Sequence, residues 1–188
     1  MDLNTLLHAC AATDPIVEQI TDDHLALPTP CDQWDVRALL NHLLGTLGLG
    51  RALLSDTPPT VAMAPGELPA IDLVGDDPHK AYGLGVERLL DAARGDAFDR
   101  AHATPLGDMP GTILGGFTTL DILVHGWDLA TATGQPTDLD DHLAETVLAF
   151  ARQTISADTR APRIGPEIVV SGESTATDRL VAFLGRRP

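Results

Sequence analysis

A chain of 188 residues has the length of one ordinary domain and can bury roughly two-thirds of the surface it exposes when unfolded. Its 27 acidic residues against 12 basic ones give a formal charge of −15, which repels phosphate backbones and anionic lipid surfaces. Nucleic acid and membrane are therefore not expected partners, and hydrophobic residues at 44% with aromatics at only 4% require a core of Leu, Ala, Val and Ile, a mixture that favours helices.

In chain order, Leu3, Leu6, Leu7, Cys10, Ile16, Val17 and Ile20 recur at helical spacing and predict a first amphipathic helix from residue 3 to about 21, with Pro15 as a point of bending. Residues 22–34 connect it to a second helix, capped by Asp35, whose stripe of Val36, Leu40, Leu43, Leu44, Leu47 and Leu54 reaches about Ser55. Pro58, Pro59, Pro65 and Pro69 make residues 56–76 a long loop. Asp77-Pro78 caps a third helix with Tyr82, Val86, Leu89 and Ala93 facing inward and Gly95 beyond its end.

Asp108 and Pro110 open a predicted fourth helix, apolar nearly all round, that runs to Thr133 before Gly134 and Pro136 stop it. A fifth pattern spans about Leu139 to Ile155, where Asp138, Asp140 and Asp141 read as capping charges. A short helix around Leu180, Phe183 and Leu184 ends an irregular arm. No strand pattern stands out beyond a weak Ile168-Val169-Val170 run. The economical architecture is all-α: an up-down four-helix bundle over residues 1–155, with residues 156–188 as a C-terminal extension packed on it.

Asp121 and His125 lie four residues apart, about 40° around a helix and one turn along it, so both side chains can meet at one point. The carboxylate is flanked by Leu120, Ile122, Leu123 and Val124, and burial there is costly without a compensating cation or donor. His42, inside Leu39-Leu40-Asn41-His42-Leu43-Leu44, offers a third group, with the small Ala38, Gly45 and Thr46 one turn away. Two imidazoles and a carboxylate suit Zn²⁺ or a similar first-row ion and leave a coordination position open. On spacing alone, hydrogen-bonded core histidines and an ordinary helical Asp/His pair account for the same pattern.

Two segments carry a resemblance. The run Thr29-Pro30-Cys31-Asp32-Gln33-Trp34-Asp35-Val36-Arg37-Ala38-Leu39-Leu40-Asn41-His42, followed by DILVHGWDLATATGQ from Asp121 to Gln135, resembles the mycothiol-dependent maleylpyruvate isomerase N-terminal domain family of the DinB/YfiT-like superfamily. The likeness extends over about residues 1–155 and to the Asp178-Arg179-Leu180 and Leu184-Gly185-Arg186 ending of stand-alone actinobacterial members. It implies a four-helix bundle holding a divalent metal, zinc above all with nickel as the alternative. The implied ligands are a His of the second helix and an acidic-x-x-x-His pair of the fourth, which fall on His42, Asp121 and His125. At the position of Asp121 the characterised isomerase has Glu, one methylene longer.

The resemblance further implies mycothiol as co-substrate, and a small-molecule thiol and an electrophile as partners. The expected activity is a metal-dependent thiol transfer or isomerisation. Metal-dependent hydrolysis is one alternative; a non-catalytic, metal-stabilised module that binds a small ligand, in homodimeric form, is the other. No separate catalytic or cofactor-binding residue is assignable. Asp128 reads either as a partner of His125 or as a cap or interhelical hydrogen bond, Trp34 as a hydrophobic staple more than a pocket wall, Trp127 and Cys31 as packing, and His8, His24, His79, His102 and His142 as solvated. The N-terminus lacks a basic-then-apolar leader, and two cysteines are too few for a disulfide framework, so a cytoplasmic protein with reduced thiols is expected.

Overall fold

The structure, a computed structural model, describes every residue except Gln33, 62–66 and 161–163. The chain forms two compact units, Met1–Pro136 and Thr137–Pro188. The units part earlier than position 155, so the fifth helix belongs to the second one.

In the first unit, α1 (Leu3–Glu18) starts at Asp2, whose carboxylate accepts from the Thr5 amide at 2.8 Å, and it runs through Pro15 without interruption. A 3-10 turn, Asp22–His24, follows instead of further α-helix, and His24 closes a capping box with Thr21. The segment then folds back on the start of α2 (Val36–Leu54): the amides of Val36 and Arg37 donate to the carbonyls of Leu27 and Leu25 at 3.0 and 2.9 Å. Thr29 Oγ1 donates to the Trp34 carbonyl at 2.8 Å, fixing the turn that carries Cys31 and Trp34. Asp35 caps α2 by accepting from the Ala38 amide at 2.8 Å, as its position before the apolar stripe predicts.

The long loop after α2 has no regular element among its described residues, and Pro65, counted among its prolines above, lies outside them. Its end, residues 71–74, is nonetheless held firmly. Asn41 brackets it by donating to the Ile71 carbonyl at 3.0 Å and accepting from the Leu73 amide at 2.7 Å, Arg37 pairs with Asp72 at 2.6 Å, and Val74 is buried. Next, α3 (Pro78–Ala92) begins at the Asp77 cap with proline in its first turn, and Gly95 beyond its end takes φ +67°.

An antiparallel hairpin, β1 (Ala101–Thr104) and β2 (Gly107–Pro110), stands where Asp108 was expected to open the fourth helix. Its register pairs Ala101 with Pro110 and Thr104 with Gly107, and Gly107 at φ +102° makes the tight return. The four-residue strands have no alternating apolar pattern to announce them, which is why the sequence reading passed over them. The Ile168-Val169-Val170 run is not a strand, and an all-α description of the chain is corrected by this one hairpin.

Helix α4 (Gly111–Thr133) follows and ends at Gly134, φ +70°. Its nearly all-round apolar middle is explained by its neighbours, since it packs against both α1 and α2 while α3 packs against the same two helices from the other side. Every residue from Leu120 to Ala130 except Asp121 is buried. Two close approaches hold it there: a Cβ on Gly50 of α2 would lie 2.8 Å from the Thr118 side chain, and one on Gly126 would lie 2.5 Å from Thr13 Oγ1 of α1. The largest fully buried side chains, among them Leu6, Leu39, Leu43, Leu47, Tyr82, Leu89, Ile122 and Leu123, each contribute about 1.5–3 kcal/mol when withdrawn from water.

In the second unit, α5 (Asp141–Thr154) is capped by Asp140, whose carboxylate accepts from the Leu143 amide at 2.9 Å. It packs against α7 (Ala176–Phe183), with the single turn α6 (Ala157–Arg160) between them in sequence. The Arg160 guanidinium lies 4.3 Å from the Phe183 ring centre and donates to the Phe183 carbonyl at 2.6 Å. No helix among the described residues is long and apolar enough to cross a membrane.

Candidate metal centre

His42 stands in the middle of α2, and Asp121 and His125 stand one turn apart on α4, the helix that packs against it. The structure brings the three together. His42 Nε2 lies 3.1 Å from Asp121 Oδ2, and His125 Nε2 lies 3.2 Å from Asp121 Oδ1. The two imidazoles meet edge to face with ring centres 4.9 Å apart, and the three potential ligand atoms all lie within 4.8 Å of one another. Both histidines are buried, while the Asp121 side chain keeps 32% of its exposure, so the centre opens to solvent over the carboxylate.

The far side of each ring decides its tautomer. His42 Nδ1 lies 2.7 Å from the Glu67 carbonyl, which can only accept, so this nitrogen carries the proton. His125 Nδ1 lies 2.9 Å from Asp128 Oδ2, a carboxylate with no exposed surface, and donates likewise. Both Nε2 lone pairs are thereby turned toward Asp121, itself an acceptor. Such an arrangement requires either second protons on the rings or a cation among them. Imidazoles oriented through Nδ1–H to a carbonyl and a carboxylate are what a metal site needs. The donor set fits a divalent ion of the zinc class, with its soft-to-intermediate nitrogen ligands and a single charge-bearing oxygen.

The electrostatics agree. Burial would push the Asp121 carboxyl up, but the His125 charge and hydrogen bonds from both histidines outweigh it and hold the carboxyl well below the usual carboxylate range. Burial would lower His125 as well; Asp121, with further hydrogen bonds that the ring makes to Asp128 and Cys31, instead raises it well above an ordinary histidine. Thr46, one turn along α2 from His42, donates to Asp121 Oδ2 at 2.5 Å and fixes the carboxylate's rotation.

Three residues prove more closely involved than their sequence positions suggest. Asp128 is the partner of His125, the first of the roles its i+3 spacing allows. Cys31 lies 3.2 Å from Asp128 Oδ2 and 3.7 Å from His125 Nδ1, so it belongs to the site and is more than a packing residue. Trp34 has its ring 4.7 Å from that of His42 and 6.3 Å from that of His125, a wall of the centre more than a staple. A Cys-x-x-Trp just before the helix that carries a buried histidine was the available signal; Gln33 between them lies outside the described residues. Glu67 acts through its backbone carbonyl, which no side-chain pattern announces. The other cysteine, Cys10, is apart from the site, its thiol pushed up to about 12 by burial.

Of the histidines expected to be solvated, His8 and His142 are exposed and His79 pairs with Asp14 at 3.2 Å. His102 is a correction. It is buried, with Nδ1 3.0 Å from Asp56 Oδ1 and Nε2 2.7 Å from the Ala97 carbonyl, because β1 turns it inward beneath the Asp56–Arg100 pair.

Residues 6–130 match the family described as mycothiol maleylpyruvate isomerase N-terminal domain, a span that runs from within α1 to within α4 and includes every side chain of the centre. The chain belongs to that family. Two relatives from Mycobacterium tuberculosis, the uncharacterized protein MT0763 of strain CDC 1551 / Oshkosh and the uncharacterized protein Rv0738 of strain H37Rv, are each 34% identical over 174 residues, covering 91% of this chain and 90% of the relative. No solved structure matches. The family's domain thus accounts for the first compact unit, while the mycobacterial relatives extend over both.

Proposed function

We propose that the chain holds one divalent metal, zinc above all with nickel as the alternative, between His42, Asp121 and His125, and that it is a cytoplasmic, mycothiol-dependent transferase or isomerase. Helices α1 to α4 serve on this reading as an up-down four-helix bundle of the DinB/YfiT type. The observation that carries the reading is the pair of Nε2 lone pairs aimed at one carboxylate by Nδ1–H bonds to Glu67 and Asp128. When bound, the metal would supply a Lewis acid that lowers the pKa of a low-molecular-weight thiol and so provides a thiolate near neutral pH.

The chain's own residues do the rest. Asp121 brings the one negative charge among the three ligands, kept in place by the Thr46 hydroxyl. The Glu67 carbonyl and Asp128 hold the two imidazoles in the ligating tautomer, and the Cys31 thiol supports Asp128. Trp34 covers the rings and withholds water from that side, leaving the approach over Asp121 for the thiol and its electrophilic partner.

The test combines metal analysis with a conjugation assay, mycothiol against a fluorogenic electrophile. Wild-type protein should hold one metal per chain and accelerate the reaction over free thiol, whereas His42→Ala and His125→Ala should lose the metal, and Asp121→Ala should lose metal and activity together. Stoichiometric metal persisting in both histidine variants after chelation and reconstitution would refute the ligand assignment. Metal-loaded wild type that gives no acceleration with mycothiol or any other thiol would leave a ligand-binding module as the better account.

A further inference from the structure

A cavity of about 320 Å³ lies between α2 and α3, bordered also by Thr60, Val61 and Leu73 of the long loop. Its wall is apolar: Leu44 and Leu47 from α2, Leu84 from α3, and Val61 and Leu73 from the loop. Gly48 of α2 also lines it, and a Cβ built there meets no atom within 4 Å, so the glycine borders open space. The volume is at the lower end of those that enclose small ligands.

The charges around this cavity run against the rest of the molecule. Acidic residues outnumber basic ones 27 to 12, yet the lining contains two arginines, Arg51 and Arg88, and no carboxylate. Elsewhere the guanidinium groups of Arg37, Arg94, Arg100 and Arg179 are paired with Asp or Glu, while those of Arg152 and Arg160 lie over the Phe183 ring. Among the described residues no carboxylate lies within ion-pairing distance of Arg51 or Arg88, and the Arg51 guanidinium makes a 3.4 Å contact to Thr60 Oγ1. Two unneutralised guanidinium groups beside an apolar hollow match a ligand that has an anionic head and a hydrocarbon body.

We propose that this cavity is a binding site, separate from the His42–Asp121–His125 centre, for a small organic anion of the aliphatic carboxylate class. The carboxylate sits between Arg51 and Arg88, and the alkyl chain lies along Leu44, Leu47 and Leu84 beside Gly48.

Octanoate is the probe and octan-1-ol its uncharged counterpart, titrated calorimetrically into the full chain. Octanoate should bind one per chain and about tenfold or more tighter than the alcohol, the margin of a charge-assisted contact. Arg88→Gln alone should weaken octanoate severalfold, and Arg51→Gln with Arg88→Gln should remove its advantage over the alcohol. Gly48→Leu fills the hollow and suits a helix, so it should keep or raise the melting temperature while abolishing binding of both probes. Chelator-treated protein should bind octanoate as the untreated protein does, a result independent of whether the metal centre is catalytic. The site is overturned if octanoate does not bind, if the alcohol binds equally well, if Arg88→Gln or Gly48→Leu folds and binds unchanged, or if chelation removes the binding, which would put the carboxylate at the metal centre.

Discussion

Asp128 shows how much of the centre rests on a residue that holds a proposed ligand without being one of the three itself. With Asp128→Ala, His125 Nδ1 loses its acceptor, the ring is free to turn or change tautomer, and metal affinity should fall about 10–100-fold while the other ligands remain. Competition with a fluorescent chelator measures this, and unchanged affinity would reduce Asp128 to a buried structural acid. The raised His125 sets the pH dependence. In metal-free protein its proton stabilises the fold fully below the unfolded value of about 6.5, and that contribution is lost as pH rises through the higher folded value. The lowered Asp121 acts oppositely: its contribution is present above the unfolded value of about 3.9 and is lost as pH falls through the lower folded one. The pair therefore stabilises metal-free protein most between about pH 4 and 6.5. A metal must displace the His125 proton, so its binding should weaken on acidification beginning above 6.5, with proton release at pH 7. Calorimetric metal titrations in buffers of different ionisation enthalpy read that release; identical observed heats in every buffer, before any correction, would contradict it.

At the scale of elements, the contact between α2 and α4 positions the centre, because it brings His42 to Asp121. Gly50 makes that approach possible, and Gly50→Ala sets a methyl 2.8 Å from Thr118, so the helices must part or Thr118 must leave its rotamer. The expected cost is about 1–3 kcal/mol in urea unfolding, accompanied by weaker metal binding, since the same displacement separates the ligands. Unfolding that matches wild type would show that the interface yields freely. The hairpin is anchored differently. His102 reaches from β1 to Asp56 beyond the end of α2, and His102→Ala leaves the Asp56 carboxylate with fewer donors and the buried Ala97 carbonyl with none from this ring. A loss of about 1–3 kcal/mol in the same unfolding experiment is expected, with metal content unchanged, because the hairpin provides no side chain to the centre.

For the whole molecule, the two compact units give different responses to truncation. Removing residues 160–188 deletes α7 and uncovers the face of α5 that carries Leu143, Val147 and Ala151, so solubility and resistance to protease should fall. Metal content should persist, since every side chain of the centre lies in the first unit. Equal protease resistance with and without α7 would mean that the helix contributes nothing to the second unit.

Helix positions followed from the sequence because caps and apolar spacing are local: Asp35, Asp77 and Asp140 each begin a helix, and Gly95 and Gly134 each follow one, as their chemistry dictates. Asp121 and His125 share a helix face by arithmetic alone, and their family motif could be read without coordinates. Other features depend on groups far apart in the chain. The Glu67 carbonyl behind His42, Cys31 beside Asp128, Trp34 against both imidazoles and His102 under the Asp56–Arg100 pair have no periodicity to reveal them. Backbone carbonyls look alike in sequence, and a loop side chain has no regular spacing from which its direction can be read. The sequence by itself determined the positions of the long helices, though not their ends at Asp108 and beyond Glu18, and which residues have ligand chemistry. Only the tertiary structure decided which nitrogen of each histidine faces Asp121, because that choice is made by hydrogen-bond acceptors brought in from another loop and another turn of helix.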